Sequence, residues 1–196
     1  MDRKVVVEKR SLLLDDYFKV EEAYVSYEKF DGTMSRPVRR LDFVRGDAVA
    51  AILFNTQRKR VILVSQFRYA TLSRGIGWMT EAVAGLIDSG ETPEEAVKRE
   101  ILEEAGYEVE TLERIFRFYP TPGVTSERVI LYYAETRGDE PVAKGGGLAH
   151  ENEDIQVVEL PLDLAFAQID HGEIVDAKTI IGLMWLRQRA ERERNE

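Results

Sequence analysis

Residues 92–106 constrain the fold more tightly than any other stretch. Thr92 offers an N-cap, Pro93 suits a first helical turn, Glu95 completes a capping box with Thr92, and Gly106 supplies a terminator. A segment punctuated in this way at both ends is a helix. Its neighbours are strand-like: the apolar runs 48–54 and 61–67, joined by a polar connection, and then 78–83 before the helix, with 109–118 and 124–134 after it. A loop containing Gly145, Gly146 and Gly147 leads to a further strand over 155–160, and helices over 162–169 and 177–193 close the chain. The expected class is α/β (α+β) with a central mixed sheet, and the lack of regular βαβ alternation disfavours a doubly wound nucleotide-binding sheet. Upstream, 17–30 is rich in aromatic and β-branched residues, and Asp31-Gly32 offers a tight turn before 34–44. This predicts an N-terminal hairpin lobe over 1–45, followed by a main domain over 46–196.

With 196 residues, 44% of them hydrophobic, the chain has enough apolar material for a core without covalent staples. It has no cysteine, which excludes disulfides and thiolate metal sites and fits a reducing cytosol. No segment has the apolar length of a secretion signal or a membrane span, so a cytoplasmic location without membrane partners is expected. The net charge of −9 argues against a nucleic-acid partner. An acidic protein acting on phosphates needs cations, either placed arginines or bound metal. His150 and His171 are far apart, which disfavours zinc, and neither a Gly-x-Ser-x-Gly elbow nor a P-loop is present.

Within the helix, Glu100, Glu103 and Glu104 are spaced three and four apart and share a face, while Val97, Ile101, Leu102 and Ala105 fill the adjoining arc. Like charges at this spacing cost a few tenths of a kcal/mol per pair. Divalent cations would reverse that cost, and hard oxygen ligands select magnesium, manganese or calcium. Alone, Glu-x-x-Glu-Glu is more often a solvated face. Its frame is more specific: Gly85, Glu91 and Arg99-Glu100-Ile101-Leu102-Glu103-Glu104-Ala105-Gly106 specify a loop, a helix and a stop together.

The stretch from Gly85 to Tyr107 resembles the Nudix box, departing from it only at Tyr107, where an aliphatic residue is usual. The resemblance implies a divalent cofactor, Mg2+ or Mn2+. Glu100 and Glu104 would be its principal ligands, Glu103 an auxiliary ligand or base, and the Ala84 carbonyl a further ligand, with Arg99 steering a carboxylate. Candidate arginines for the diphosphate are Arg68, the Arg39-Arg40 pair and Arg45.

Residues 120–128, Pro-Thr-Pro-Gly-Val-Thr-Ser-Glu-Arg, look like the segment that follows the box in ADP-ribose pyrophosphatases, which would place Glu127 on the distal sugar. Residues 147–155 resemble a mobile, glycine-preceded loop in which Glu151 would activate water and Glu153 would reach a metal. Residues 15–18, 45–48, 172–174 and 185–186 extend the resemblance to ADP-ribose and GDP-mannose pyrophosphatases over nearly the whole chain. That likeness implies a Nudix fold with a mixed β-sheet between helices. It also implies a homodimer exchanging N-terminal strands, with Phe18 stacking on a base and Arg40 on phosphate across the interface. The expected activity is hydrolysis of a nucleoside diphosphate sugar, with ADP-ribose first and GDP-mannose second. A non-catalytic ADP-ribose sensor is the remaining alternative, disfavoured because a sensor has no need of the full glutamate set.

Overall fold

The computed structural model describes every residue except Met1, Asp2, Arg137, Asp139, Ala149, Glu151 and Glu196. The chain divides into two compact units, Met1–Gly46 with Thr121–Arg128, and Asp47–Pro120 with Val129–Glu196.

The first unit is a three-stranded antiparallel sheet in the order β1 (Val5–Asp15), β2 (Lys19–Tyr27), β3 (Val38–Val44). The expected hairpin is β2–β3, and Asp31 builds its turn by accepting from the Thr33 N–H at 2.9 Å and the Thr33 hydroxyl at 2.6 Å. Strand β1 was not legible in advance. Its pairing with β2 slips between Val7 and Lys9 and again between Leu12 and Leu14, and such irregularities break the period-two pattern that betrays a strand. Residues 121–128 also differ from expectation. Instead of opening a strand at 124, they pack on β3: Phe43 N–H donates to the Val124 carbonyl at 2.9 Å, and Ser126 N–H to Asp42 Oδ1 at 2.8 Å.

The second unit holds a seven-stranded mixed sheet. Its strands are β4 (Ala48–Asn55), β5 (Arg60–Phe67), β6 (Trp78–Glu81), β7 (Val83–Leu86), β8 (Val109–Phe118), β9 (Val129–Thr136) and β10 (Gln156–Pro161). The main path runs β10-β5-β4-β9-β8, and β4 lies parallel to β9. Strand β4 is buried along its whole length, as its unbroken apolar run requires. Its side chains alternate between two cores. Val49, Ala51 and Leu53 pack with Ala96, Val97 and Ile101 from helix α2 (Pro93–Glu100) and the turn beyond it. Ile52 and Phe54 pack on the other face with Ala165 of α3 (Leu162–Asp170) and with Leu183 and Leu186 of α4 (Ala177–Asn195). The helices therefore flank both faces of the sheet. Among the described residues, no helix is long and apolar enough to cross a membrane.

A fork in this sheet positions the site. β4 pairs with β5 only over Leu53–Asn55 and with β7 over Ala48–Ala51, while β6 pairs with β5. The stretch expected as one strand is thus two, broken at Ala82, which crosses from one prong to the other. A short helix, α1 (Tyr69–Leu72), lies between β5 and β6 and was not expected.

Candidate active site

The acidic helix lies against this fork. Thr92 caps it as the sequence predicts: its hydroxyl accepts from Glu95 N–H, and the Glu95 carboxylate accepts from Thr92 N–H at 2.8 Å. Beyond Glu100 the helix widens into a π turn over Ile101–Ala105, which ends at Gly106 with φ of +77°, a left-handed geometry that favours glycine. The π turn has no signature in helix propensity, so the wheel expectation missed part of its outcome. Leu102, placed on the buried arc, is 39% exposed, whereas Glu104 is only 2% exposed.

Arg99 organises the carboxylates. Its Nε and Nη2 donate to both oxygens of Glu91 at 3.0 and 3.1 Å, and its Nη1 donates to Glu100 Oε1 at 2.8 Å and Glu103 Oε2 at 3.0 Å. Nη2 also reaches the Leu86 carbonyl at 3.2 Å, tying the helix to the end of β7. One planar cation therefore fixes three acids. Glu104 is held instead by the Ala84 N–H, which donates to Oε2 at 3.1 Å. In a strand, N–H and C=O of one residue point to the same edge, so the Ala84 carbonyl is turned toward this side as well. Gly85 explains itself here: a Cβ would fall 1.8 Å from Glu100 Oε1, so only glycine lets that carboxylate lie against β7.

Burial pushes the Glu104 carboxyl up to about 8, opposed by the Ala84 hydrogen bond and reinforced by the charges of Glu100 and Glu153. Burial likewise pushes Glu100 up to about 7, with Arg99 opposing and the charges of Glu103 and Glu153 adding. The charge of Glu153 thus acts on both carboxyls, and Leu148 N–H donates to its Oε2 at 3.0 Å. Among the described residues, no three Asp, Glu or His side chains are already grouped as a metal cage. The donor set nonetheless fits a hard divalent cation. It is oxygen-only, crowded with like charge, and one oxygen each of Glu100 and Glu104 has no donor among the described residues.

The loop with three glycines docks on the end of this helix. Gly146 and Gly147 N–H donate to the Glu104 and Glu103 carbonyls at 2.8 and 3.0 Å, and Val142 and Ala143 N–H donate to the Gly106 carbonyl at 2.8 and 3.0 Å. These bonds satisfy carbonyls that a helix end leaves open. At Gly145 a Cβ would fall 2.8 Å from the Glu104 carbonyl oxygen, so glycine permits this close backbone approach. Glu151, the expected base, lies outside the described residues.

Of the expected substrate residues, Arg68 is in this unit, paired through two N–H groups with Glu81 at 2.9 Å each. Glu81, Lys178 and Asp176 form a charged cluster that went unnoticed in the sequence, because Glu81 sits in an unremarkable strand and its partners lie almost 100 residues away. The first unit carries the others. Phe18 packs between the rings of Tyr17 and Phe43, with the Arg45 guanidinium 5.6 Å from its centroid. Arg45 Nε lies 3.5 Å from Glu127 Oε1, and Arg40 Nη1 donates to the Arg39 carbonyl at 3.2 Å.

The sequence profile of the family described as NUDIX domain matches residues 44–180. The chain is 36% identical over 188 residues to a protein named GDP-mannose pyrophosphatase from Escherichia coli (strain K12), covering 95% of this chain and 96% of that protein. A protein of the same name from Citrobacter koseri is 36% identical over the same coverage. A crystal structure described as an ADP compounds hydrolase superposes with a TM-score of 0.74 at 21% identity, covering 97% of this chain and 96% of the other, which is a likeness of fold.

Proposed function

Because the chain belongs to the Nudix family, whose members generally use a divalent metal, we propose that it is a magnesium-dependent pyrophosphohydrolase of nucleotide sugars that prefers GDP-mannose. The observation that carries this reading is the pair Glu100 and Glu104, drawn against Gly85 and Ala84 at the sheet fork while Arg99 holds Glu91, Glu100 and Glu103. The choice of GDP-mannose over ADP-ribose, the first expectation from the sequence, rests on the curated relatives named above. A sensor role gains nothing from these residues, since a crowded buried acid cluster is costly unless it holds cations.

In this reading Glu100, Glu104 and the Ala84 carbonyl hold the metal, with Glu103 and Glu153 as auxiliary ligands. A cation so held would neutralise the diphosphate and lower the pKa of an attacking water. Arg99 keeps Glu100 and Glu103 in place, Arg68 binds a phosphate oxygen, and Glu151 takes the proton of the water. By the resemblance, Phe18 would stack on the base and Arg40 meet phosphate across a dimer interface, with Arg45 a further phosphate contact and Glu127 on the sugar. A homodimer is also part of the proposal. Val5, Val7, Leu12, Leu13 and Leu14 of β1 are each about half exposed, apolar surface that a second copy would cover.

The test is a side-by-side panel of GDP-mannose, ADP-ribose and other nucleotide sugars with magnesium. The highest kcat/KM is expected for GDP-mannose, giving GMP and mannose 1-phosphate. Chelation should abolish turnover, and magnesium or manganese should restore it. Absence of any nucleoside monophosphate would end the hydrolase reading, and faster cleavage of ADP-ribose would reverse the preference.

A further inference from the structure

Glu81 ends β6 at the prong of the fork and is only 2% exposed. A carboxylate this deep requires charged partners, and it has two. Arg68 donates to it through Nε and Nη2 at 2.9 Å each, and Lys178 Nζ donates to Oε2 at 2.8 Å. Lys178 is largely buried and also pairs with Asp176 at 3.2 Å. The first turn of α4 pins the strand break beside Glu81 as well: Ala82 N–H donates to the Thr179 hydroxyl at 2.6 Å, which donates in turn to Asp176 at 2.6 Å. Arg68 differs from its partners, since its side chain is 42% exposed. It is held charged chiefly by its hydrogen bonds to Glu81, against the cost of burial, and the charge of Glu104 also reaches it.

A guanidinium has five N–H donors in a fixed fork. Glu81 takes one from Nε and one from Nη2, so both on Nη1 and one on Nη2 remain. That outer edge matches a phosphate in two-point geometry. A buried ion pair is weak evidence of stabilisation, because apolar residues of similar volume often serve as well.

We infer that Glu81 is a positioning residue, which fixes the direction of the Arg68 guanidinium so that its outer edge receives an oxygen of the substrate diphosphate. The inference rests on the hydrolase reading for the identity of that substrate. It is tested with a double-mutant cycle on Glu81→Gln and Arg68→Ala, read as KM and kcat with magnesium and as calorimetric Kd for GDP-mannose with calcium. Each single variant should raise KM and Kd about tenfold with kcat changed less than about threefold, and Glu81→Gln should add less than about twofold in the Arg68→Ala background. Arg68→Lys, at a half-exposed position that tolerates change, should show the same tenfold loss because an ammonium cannot make the two-point contact, and it decides the matter if Glu81→Gln fails to fold. A Glu81→Gln effect that persists in full without Arg68, a fall in kcat at constant KM, or wild-type affinity in Arg68→Lys would each overturn the inference. If the wild type binds GDP-mannose without cleaving it, the hydrolase reading fails while the Kd cycle still decides this one. A wild type that binds no nucleotide sugar overturns both.

Discussion

Replacing Gly85 with alanine should separate activity from stability. The new Cβ would lie 1.8 Å from Glu100 Oε1, 2.1 Å from Cδ and 2.6 Å from Oε2, so the carboxylate must retreat by roughly 1.5 Å to regain an ordinary contact. What moves is the far end of a flexible side chain, so the fold should lose no more than about 1 kcal/mol, at the low end for overpacking. The retreat breaks the 2.8 Å bond from Arg99 Nη1 and takes Glu100 away from Ala84 and Glu104. A misplacement of about 1 Å in a reacting constellation costs on the order of 100-fold in rate, equivalent to about 2.7 kcal/mol of transition-state stabilisation. The assay is kcat/KM on the best nucleotide sugar at saturating magnesium, with a thermal melt of the same preparation. Gly182→Ala is the control. Its Cβ would lie 2.2 Å from Ile52 Cγ1 between α4 and β4, so it should lower stability by about 1–3 kcal/mol, less whatever helix propensity returns, with kcat/KM within about threefold of wild type. Gly85→Ala with near-normal kcat/KM would refute the placement of Glu100 against β7.

Glu104→Gln keeps the shape of a buried side chain and removes its charge, so the protein should melt no lower than wild type while kcat falls at least about 100-fold; unchanged turnover would remove Glu104 from the metal site. Burial raises the Glu81 carboxyl, but hydrogen bonds from Arg68 and the charge of Lys178 outweigh it and hold it below its ordinary value. The stability it contributes is therefore present above the ordinary carboxylate range and lost as pH falls through its folded value. Melting temperatures of wild type and Glu81→Gln should accordingly differ most near pH 7 and converge in acid, whereas a constant gap would contradict the pairing. Tyr107→Phe deletes the 2.8 Å hydrogen bond to Glu159 and should cost about 0.5–1.5 kcal/mol by denaturant titration, leaving kcat/KM unchanged.

Much of the glutamate helix is legible in the sequence alone, because its signals are local. The cap at Thr92, the stop at Gly106 and the acid spacing each act within one or two turns, so residue order alone sets them. The same holds for the buried run of β4 and for the class of fold. Strand β1 escaped notice because bulges erase its alternation, and residues 121–128 because their partners in β3 lie about 80 residues upstream.

The tertiary structure decided which oxygens face which donors. Spacing placed Glu100, Glu103 and Glu104 on one face, but only the fork between β4 and β5 buried Glu104 against Ala84, set Glu100 over Gly85 and left Glu103 with Arg99. Arg68 was one of several candidate arginines in the sequence, yet Glu81, which fixes its direction, and Lys178, which shares that carboxylate, could be joined to it only by folding. The physical reason is range: capping and helical spacing are settled by nearby backbone, whereas burying a charge requires partners that the chain can bring together only by closing loops of many residues.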